Sequence, residues 1–267
     1  MKKYLSFFRI RFVNALQYRA AALAGMATQF FWGGMLLLMF AAFYRSAPES
    51  FPMEFQELSS YIWLQQAFLA MLNSWAFEND IFEAISTGNI AYELCRPMGL
   101  YGQWFVKATA NRMARAVLRC VPTLVFASLL PYPYGLSLPP DVATAVLFVF
   151  SLFLALGVVV AFTMVIYIIT FYTISPTGVR MAATSAAELL SGSLLPLPFF
   201  PDGLRQAAEL LPFASMQNVP LRVYSGELSG QAAVWGVSLQ VFWLIALLAL
   251  GTWMMHRALR RVVVQGG

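Results

Sequence analysis

The sequence predicts an all-α integral membrane protein with six transmembrane helices and three shorter helical features. These are an amphipathic interfacial helix at the N-terminus, a cytoplasmic helix after the second span and a proline-broken re-entrant element before the sixth. Hydrophobic residues make up 60% of the 267 residues and charged residues only 11%, against about a quarter charged in soluble domains. Apolar stretches of about 20 residues, the length that crosses a bilayer, recur along the chain. Lys and Arg concentrate in alternate connections, which orients the spans.

The N-terminal residues 1–19 combine apolar side chains at helical spacing with basic charge. The apolar positions are Leu5, Phe8, Phe12 and Leu16. This pattern predicts a helix that lies in the lipid headgroup layer. The alternative is a plain cytoplasmic lead-in to the first span. Arg9 and Arg11 interrupt the stretch that a cleaved secretory signal would need to keep apolar.

Six spans follow from the apolar stretches and from the residues that interrupt them. The expected spans are Ala20–Tyr44, Leu58–Phe77, a third ending at Pro131, Val142–Thr173, Val179–Leu195 and Gln231–Met255. The motif SPTG at 175–178 divides the fourth span from the fifth, because proline and glycine there break a helix. No internal repeat is visible, and the sequence predicts a single membrane domain over residues 1–267.

The distribution of basic residues places both termini in the cytoplasm. With that orientation most basic residues fall on the cytoplasmic side or in the inner half of the membrane: Lys2, Lys3, Arg9, Arg11, Arg19, Arg96, Lys107, Arg112, Arg115, Arg119, Arg180, Arg257, Arg260 and Arg261. Only Arg45, Arg205 and Arg222 fall outside. Topology and anionic lipid therefore explain the net charge of +5, and no nucleic-acid partner is expected. One histidine and two cysteines offer neither a metal site nor a disulfide framework.

The cytoplasmic segment 78–100 has the character of a docking element. Its first part predicts a short helix with acidic residues at the N-terminal end, where they complement the helix dipole, and an apolar side. The residues concerned are Glu78, Asp80, Ile81, Phe82, Glu83 and Ile85. An ordinary solvated loop is the alternative.

The outer segment 196–228 begins with three prolines in six residues, in the stretch GSLLPLPFFP. Backbone groups freed by proline are tolerated at membrane depth only inside protein or beside a water-filled cavity. The segment is therefore expected to re-enter the outer leaflet or lie on it, with Asp202 capping a helix that Pro212 ends. A plain extracellular loop is the alternative. The residues expected at this outer gate are Pro196, Pro198, Phe199, Phe200 and Pro201.

Three charged residues are expected within the bilayer. Glu188 lies about 12 Å beyond Arg180 along the fifth span, and Arg119 lies about 18 Å from Pro131 along the third. Ionisable groups at such depth normally pair or face a cavity. Glu188 is therefore expected to pair with Arg119 or Arg115, either as a static bridge or as a substrate contact.

Taken in order, these features resemble the type-2 ABC transporter permeases, the membrane subunits of ABC exporters. The resemblance covers nearly the whole chain. It depends on the N-terminal helix, the six spans, the segment GNIAYELCRP at 88–97, the stretch SGSLLPLPFFP at 191–201 and the motif LLPFAS with the later YSGEL at 210–228. The resemblance implies that 78–100 is the coupling segment that docks on an ATPase and that 196–228 is an extracellular re-entrant pair of helices.

The resemblance also implies partners and a location. No GxxxxGK[ST] motif occurs in the chain, so ATP and magnesium would be used by a separate subunit and no cofactor bound here. Two ATPase subunits and a second six-span permease, the same or a related chain, would complete a transporter in a bacterial or archaeal plasma membrane. Apolar walls favour a hydrophobic or amphipathic substrate such as a drug, lipid or peptide. An ATP-independent channel or secondary transporter remains the alternative, and a membrane enzyme lacks the clustered catalytic residues it would need.

Overall fold

A computed structural model describes residues 2–17, 19–173 and 175–260 of the chain. Met1, Tyr18 and Ile174 lie outside the described residues, as do residues 261–267 with Arg261, one of the basic residues that the expected orientation counts. All regular secondary structure of the described part is helical. Its helices are α1 Lys2–Ala15, α2 Arg19–Ser46, α3 Phe55–Leu72, α4 Asn79–Ser86, α5 Ile90–Leu94, α6 Leu100–Ser128, α7 Val142–Ile169, α8 Pro176–Leu190, α9 Asp202–Leu210, α10 Asn218–Ser225 and α11 Gly230–Leu259.

Three of these helices are long and apolar enough to cross a membrane. They are α2 over Leu23–Ser46, α7 with its extension over Val142–Tyr172, and α11 over Gly230–Leu259. They match the first, fourth and sixth expected spans. The other three expected spans form helices that do not meet the same measure, because α3 carries polar residues, α6 carries several cationic residues and α8 has only 15 residues.

Two of the expected spans end five residues earlier than the sequence predicts. α3 ends at Leu72 rather than Phe77, because the following residues turn away from the helix axis. α8 starts at Pro176, with Ser175 as its N-cap, and ends at Leu190 rather than Leu195. Gly192 adopts a φ of +80°, a left-handed conformation that stops a helix. An interruption does separate α7 from α8, but Pro176, Thr177 and Gly178 of the SPTG motif form the start of α8 rather than the break.

α3 lies at the centre of the molecule. Its residues 58–67 are all buried, including the large side chains of Tyr61, Trp63 and Leu64. Ten consecutive residues point in every direction around a helix, so this part of α3 is surrounded by protein on every side. It packs against α2, α6 and α10, while α7 packs against α10 and α11. A helix enclosed in this way can hold polar side chains that lipid would reject, which explains why α3 is less apolar than a lipid-facing span.

α1 packs along α6 and the residues before it. The Tyr4 hydroxyl accepts a hydrogen bond from the N–H of Gly99 at 3.2 Å, and Lys3 Nζ donates to the carbonyl of Pro97 at 2.6 Å. The tyrosine ring also lies against Gly102, where a β-carbon would stand 3.1 Å from it. The expected N-terminal helix is thus present and is fixed to the start of α6.

Candidate functional site

The break after α3 positions the segment that follows. Residues 73–78 run without helix from α3 to α4. Asn73 folds back on this break, since its Nδ2 donates to the carbonyl of Leu69 at 2.7 Å and its Oδ1 accepts from the N–H of Ala76 at 2.8 Å. A helix that ends inside a protein leaves carbonyl groups that need donors from elsewhere.

Arg112 of α6 supplies those donors. Its side chain is 1% exposed. Nη1 donates to the carbonyls of Met71 at 3.2 Å and Asn73 at 2.8 Å, and Nη2 donates to that of Ala76 at 2.7 Å. A buried guanidinium is tolerated when its N–H groups are paired. Arg112 therefore fixes the path of the chain between α3 and α4.

Glu78 ties the start of α4 to two long helices. It is the N-cap residue of α4. Its carboxylate accepts from Asn111 Nδ2 at 2.9 Å and from Arg115 Nη2 at 3.1 Å, both on α6. Its backbone N–H donates to the Tyr167 hydroxyl of α7 at 2.6 Å. Charge-assisted hydrogen bonds of this kind are stronger than neutral ones, so α4 is firmly held at its first turn.

One face of α6 carries the groups that hold α4. Lys107, Asn111 and Arg115 follow one another at intervals of four residues, which places them in a row on a helix. Lys107, almost fully buried, forms a salt bridge with the exposed carboxylate of Asp80. From the sequence, Lys107 and Arg112 served only as markers of orientation, although the four-residue spacing of Lys107, Asn111 and Arg115 indicates this common face.

The apolar side of α4 packs into the protein. Ile81 and Phe82 are buried, and the Phe82 ring lies 4.8 Å from that of Tyr167. The Arg180 guanidinium at the start of α8 lies 4.8 Å from the Phe82 ring centroid and 4.9 Å from that of Phe77. Ile81 and Phe82 are therefore unavailable to a partner, which corrects the expectation that they present an apolar docking face.

Other residues of the 78–100 segment are accessible. Asp80 and Glu83 are exposed on α4, while Ile85 is half-buried. On α5, Tyr92 is 77% exposed and Leu94 is also exposed. A partner would therefore meet a surface that combines acidic groups with an aromatic ring. We call this surface, formed by Asp80, Glu83, Tyr92 and Leu94, the coupling surface.

The three charges expected within the membrane are arranged differently from the expected pair. Arg115 pairs with Glu78 and not with Glu188. Among the described residues, no salt bridge within 4.0 Å joins Glu188 to a basic group. Arg119 lies against α2, since a β-carbon at Gly25 would stand 2.5 Å from its Cζ. Glu188 and Arg119 nevertheless line the same cavity.

That cavity, here called the α2–α8 groove, has a volume of about 480 Å³. Residues of α2, α3, α6, α8 and the two adjacent connections line it: Gly25, Thr28, Gln29, Trp32, Leu36, Gln65, Gln66, Leu69, Trp75, Arg119, Glu188, Ser193 and Leu194. Indole rings, amide groups and one charge of each sign thus share a single concave surface. A pocket that combines apolar area with a few polar groups is the usual form of a small-molecule site.

The first part of the outer segment, residues 196–200, is irregular, as its prolines predict, and it is mostly buried. Residues 197–199 form one 3₁₀ turn between Pro196 and Phe200. Pro196, Pro198 and Phe200 are buried, and the Phe199 ring lies 5.3 Å from Phe40 of α2. Pro201, rather than Asp202, is the N-cap residue of α9. Of the expected gate residues, Phe199 therefore packs against α2, whereas Phe200 packs with Leu197, Ala208 and Ala214.

Side chains of α3 supply partners for the broken backbone before this segment. The Tyr61 hydroxyl donates to the carbonyl of Gly192 at 2.9 Å, and Gln65 Nε2 donates to that of Ser193 at 2.5 Å. These bonds satisfy carbonyl groups that a helix would otherwise have paired. α3 thus contacts both the break before α4 and the break after α8.

A second ionic cluster holds the later part of the outer segment. Arg222 of α10 is largely buried, and its guanidinium binds Glu209 of α9 and Glu227 beyond α10. Burial alone would lower the pKa of Arg222, but the hydrogen bonds and negative charge of the two glutamates outweigh it and raise that pKa. This cluster was not predicted from the sequence, because its three residues are separated by up to 18 positions.

Comparison with known proteins identifies one family. The sequence model of the family described as 'ABC-2 family transporter protein' matches residues 30–266, which begin within α2. No curated protein matches the sequence.

Proposed function

Because the chain belongs to the ABC-2 family of transporter proteins, we propose that it is the permease subunit of an ATP-driven exporter. As a member of this family it is a multi-pass membrane protein, a transmembrane component of an ABC transporter and a partner of an ABC ATPase, which is a separate subunit. The proposal adds six spans, cytoplasmic termini and a bacterial or archaeal plasma membrane. It also adds outward transport, a second permease, two ATPase subunits that use ATP and magnesium, and a hydrophobic or amphipathic substrate.

The observation that carries this proposal is the position of α8, which connects the coupling surface, the α2–α8 groove and the outer segment. Arg180, near its N-terminal end, contacts Phe77 and Phe82 beside the coupling surface. Glu188 near its other end lines the α2–α8 groove, and Pro196 follows six residues after the helix ends. A helix of 15 residues is about 22 Å long.

Movement of α4 would therefore reach the groove and the outer segment through one rigid element. ATP-driven closure of two ATPase subunits would displace the coupling surface, and α8 would shift with it. Because Phe199 packs against α2, the same displacement would alter the contact between the outer segment and α2. This sequence of movements is alternating access, with the groove open first to one side and then to the other.

The test is export by the permease co-expressed with its ATPase and reconstituted in vesicles. Replacing Arg180 with Gln removes the cation–π contacts with α4 and leaves the helix. We expect ATP hydrolysis to persist and export per ATP to fall several-fold, since such contacts contribute about 0.5–2 kcal/mol. Arg9→Gln on α1 is the matched control and should leave export unchanged.

Two outcomes would overturn the proposal in different ways. Transport by the chain alone, without nucleotide or ATPase, would favour an ATP-independent channel. Unchanged export per ATP in Arg180→Gln would show that α8 does not transmit movement from the coupling surface.

A further inference from the structure

Gln29 is the unusual residue of the α2–α8 groove. It lies within the apolar stretch Leu23–Ser46 of α2, and its side chain is 2% exposed. Neither its Oε1 nor its Nε2 has a hydrogen-bond partner in the described part of the chain. Burying an unpaired amide costs free energy, so such a residue needs a compensating role.

The other polar groups of the groove define which ligand the amide could serve. Arg119 and Glu188 bring one positive and one negative charge to the lining, and therefore favour neither a cation nor an anion. Gln65 and Gln66 add amide groups from α3. Amides donate and accept hydrogen bonds at once, which suits hydroxyl and amide groups.

Aromatic rings supply the apolar part of the groove. Trp32 on α2 and Trp75 in the break before α4 both line it and are about half exposed. Indole rings offer a large apolar face to a ligand while the nearby amides remain available for hydrogen bonds. The groove therefore joins an apolar surface to a neutral polar one.

We propose that the α2–α8 groove binds an amphipathic substrate whose polar part is uncharged and carries hydroxyl or amide groups, with Gln29 as the residue that selects that part. This inference rests on the proposed function and narrows its substrate class. Gln29 would be paired when the substrate is bound and unpaired when it leaves. Its desolvated amide would discriminate against a charged or purely apolar group, because neither satisfies both of its polar atoms.

The experiment uses three photoreactive probes with the same diazirine-bearing octyl tail and different headgroups. The headgroups are glucoside, sulfate and trimethylammonium. Each probe is added to the full chain in lipid nanodiscs, well below its micelle-forming concentration, and adducts are located by mass spectrometry. We expect the glucoside probe to label residues 25–36, 65–75 or 188–194 at the lowest concentration, and excess octyl glucoside to compete.

The variant Gln29→Met removes the amide and keeps a side chain of similar length. We expect its half-labelling concentration for the glucoside probe to rise about tenfold, as for the loss of a buried hydrogen bond. Labelling by the charged probes should not change. The thermal midpoint of unfolding should be unchanged or higher, because an unpaired buried amide has been removed. Gln231→Met, at an exposed position on α11, is the matched control.

Three results would overturn the inference. They are equal labelling of the groove by the three headgroups, stronger labelling by a charged probe, or a Gln29→Met chain that labels as the unmodified chain does. Adducts of the unmodified chain that fall outside the groove would also overturn it, even if the variant failed to fold. The assay needs neither ATP nor ATPase, so a negative result here leaves coupling to the ATPase to be judged separately.

Discussion

At the residue scale, buried polar groups determine the shape of the protein more than its many apolar side chains do. Arg112 pairs three carbonyl groups at the break after α3, and Arg222 joins Glu209 to Glu227 in the outer segment. Arg112 holds chain that is not helical, where backbone groups lack their usual partners, and Arg222 ties helix α9 to the residues that follow α10. Each therefore fixes a segment that the proposed mechanism requires to move as a unit.

Replacing Arg112 with Met should destabilise the protein by about 3 kcal/mol, because carbonyl groups would be left unpaired in a buried position. Unfolding measured in detergent by the thermal midpoint and by denaturant checks this. Arg96→Met, at an exposed position before α6, should change the free energy of unfolding by no more than about 0.5 kcal/mol. Equal stability of the two variants would contradict the role assigned to Arg112.

The sequence could identify buried charge but not its partners. The count of arginines in the third expected span signalled that they needed partners or a cavity. The expected pairing of Glu188 with Arg119 or Arg115 followed from the matching depths of Glu188 and Arg119, and Glu78 was assigned to the cytoplasmic segment instead. Because α3 ends at Leu72, Glu78 lies beside α6 and pairs with Arg115.

At the element scale, the two breaks at the ends of α3 and α8 create the site. The break after α3 directs α4 against α6 and α7, and the break after α8 directs the outer segment against α2. Proline and glycine in the sequence predicted the second break, but α8 ends at Leu190, five residues before the predicted end at Leu195. The first break has no proline, so only tertiary contacts from Arg112 reveal it.

Gly192→Ala should lower the free energy of unfolding by about 1–2 kcal/mol, the cost of a left-handed conformation for a residue with a side chain. The new β-carbon would also stand 2.6 Å from the Tyr61 hydroxyl, which bonds the carbonyl of Gly192. Gly203→Ala in α9 is the control, since nothing lies within 4 Å of its β-carbon position. Thermal unfolding of both variants gives the comparison, and a neutral Gly192→Ala would show that this turn does not need glycine.

Glu83→Lys should weaken binding of the ATPase several-fold without altering the fold, because Glu83 is exposed on α4 and belongs to the coupling surface. Binding is measured with the permease in nanodiscs at two salt concentrations, and the difference should shrink at high salt. Glu49→Lys, exposed between α2 and α3, makes the same charge change elsewhere. If the unmodified chain, Glu83→Lys and Glu49→Lys all bound the ATPase equally well, α4 would not be part of the interface.

At the scale of the whole molecule, three of the six expected spans form helices that are long and apolar enough to cross a membrane, as far as the described residues show, and the other three do not. The second group includes α3, enclosed by protein, and α6, whose basic residues hold the 78–100 segment. Composition predicted an all-helical membrane protein because it reflects the average of the chain. It could not distinguish a helix that faces lipid from one that faces other helices.

A single-cysteine series should establish the topology. In a chain with Cys95→Ser and Cys120→Ser, Leu138→Cys in the connection between α6 and α7 should react with a membrane-impermeant maleimide from outside the cell. Leu138 is 88% exposed. Labelling only after the membrane is opened would place that connection inside and contradict six spans with cytoplasmic termini.

The most direct measurement of the central claim uses the native Cys95, which is exposed just after α5. In a Cys120→Ser chain, inside-out vesicles are treated with an impermeant maleimide in the presence and absence of the ATPase subunit. The account predicts labelling of Cys95 from the cytoplasmic side and strong protection when the ATPase binds. Labelling from the exterior, or labelling that the ATPase leaves unchanged, would contradict a permease driven through its 78–100 segment.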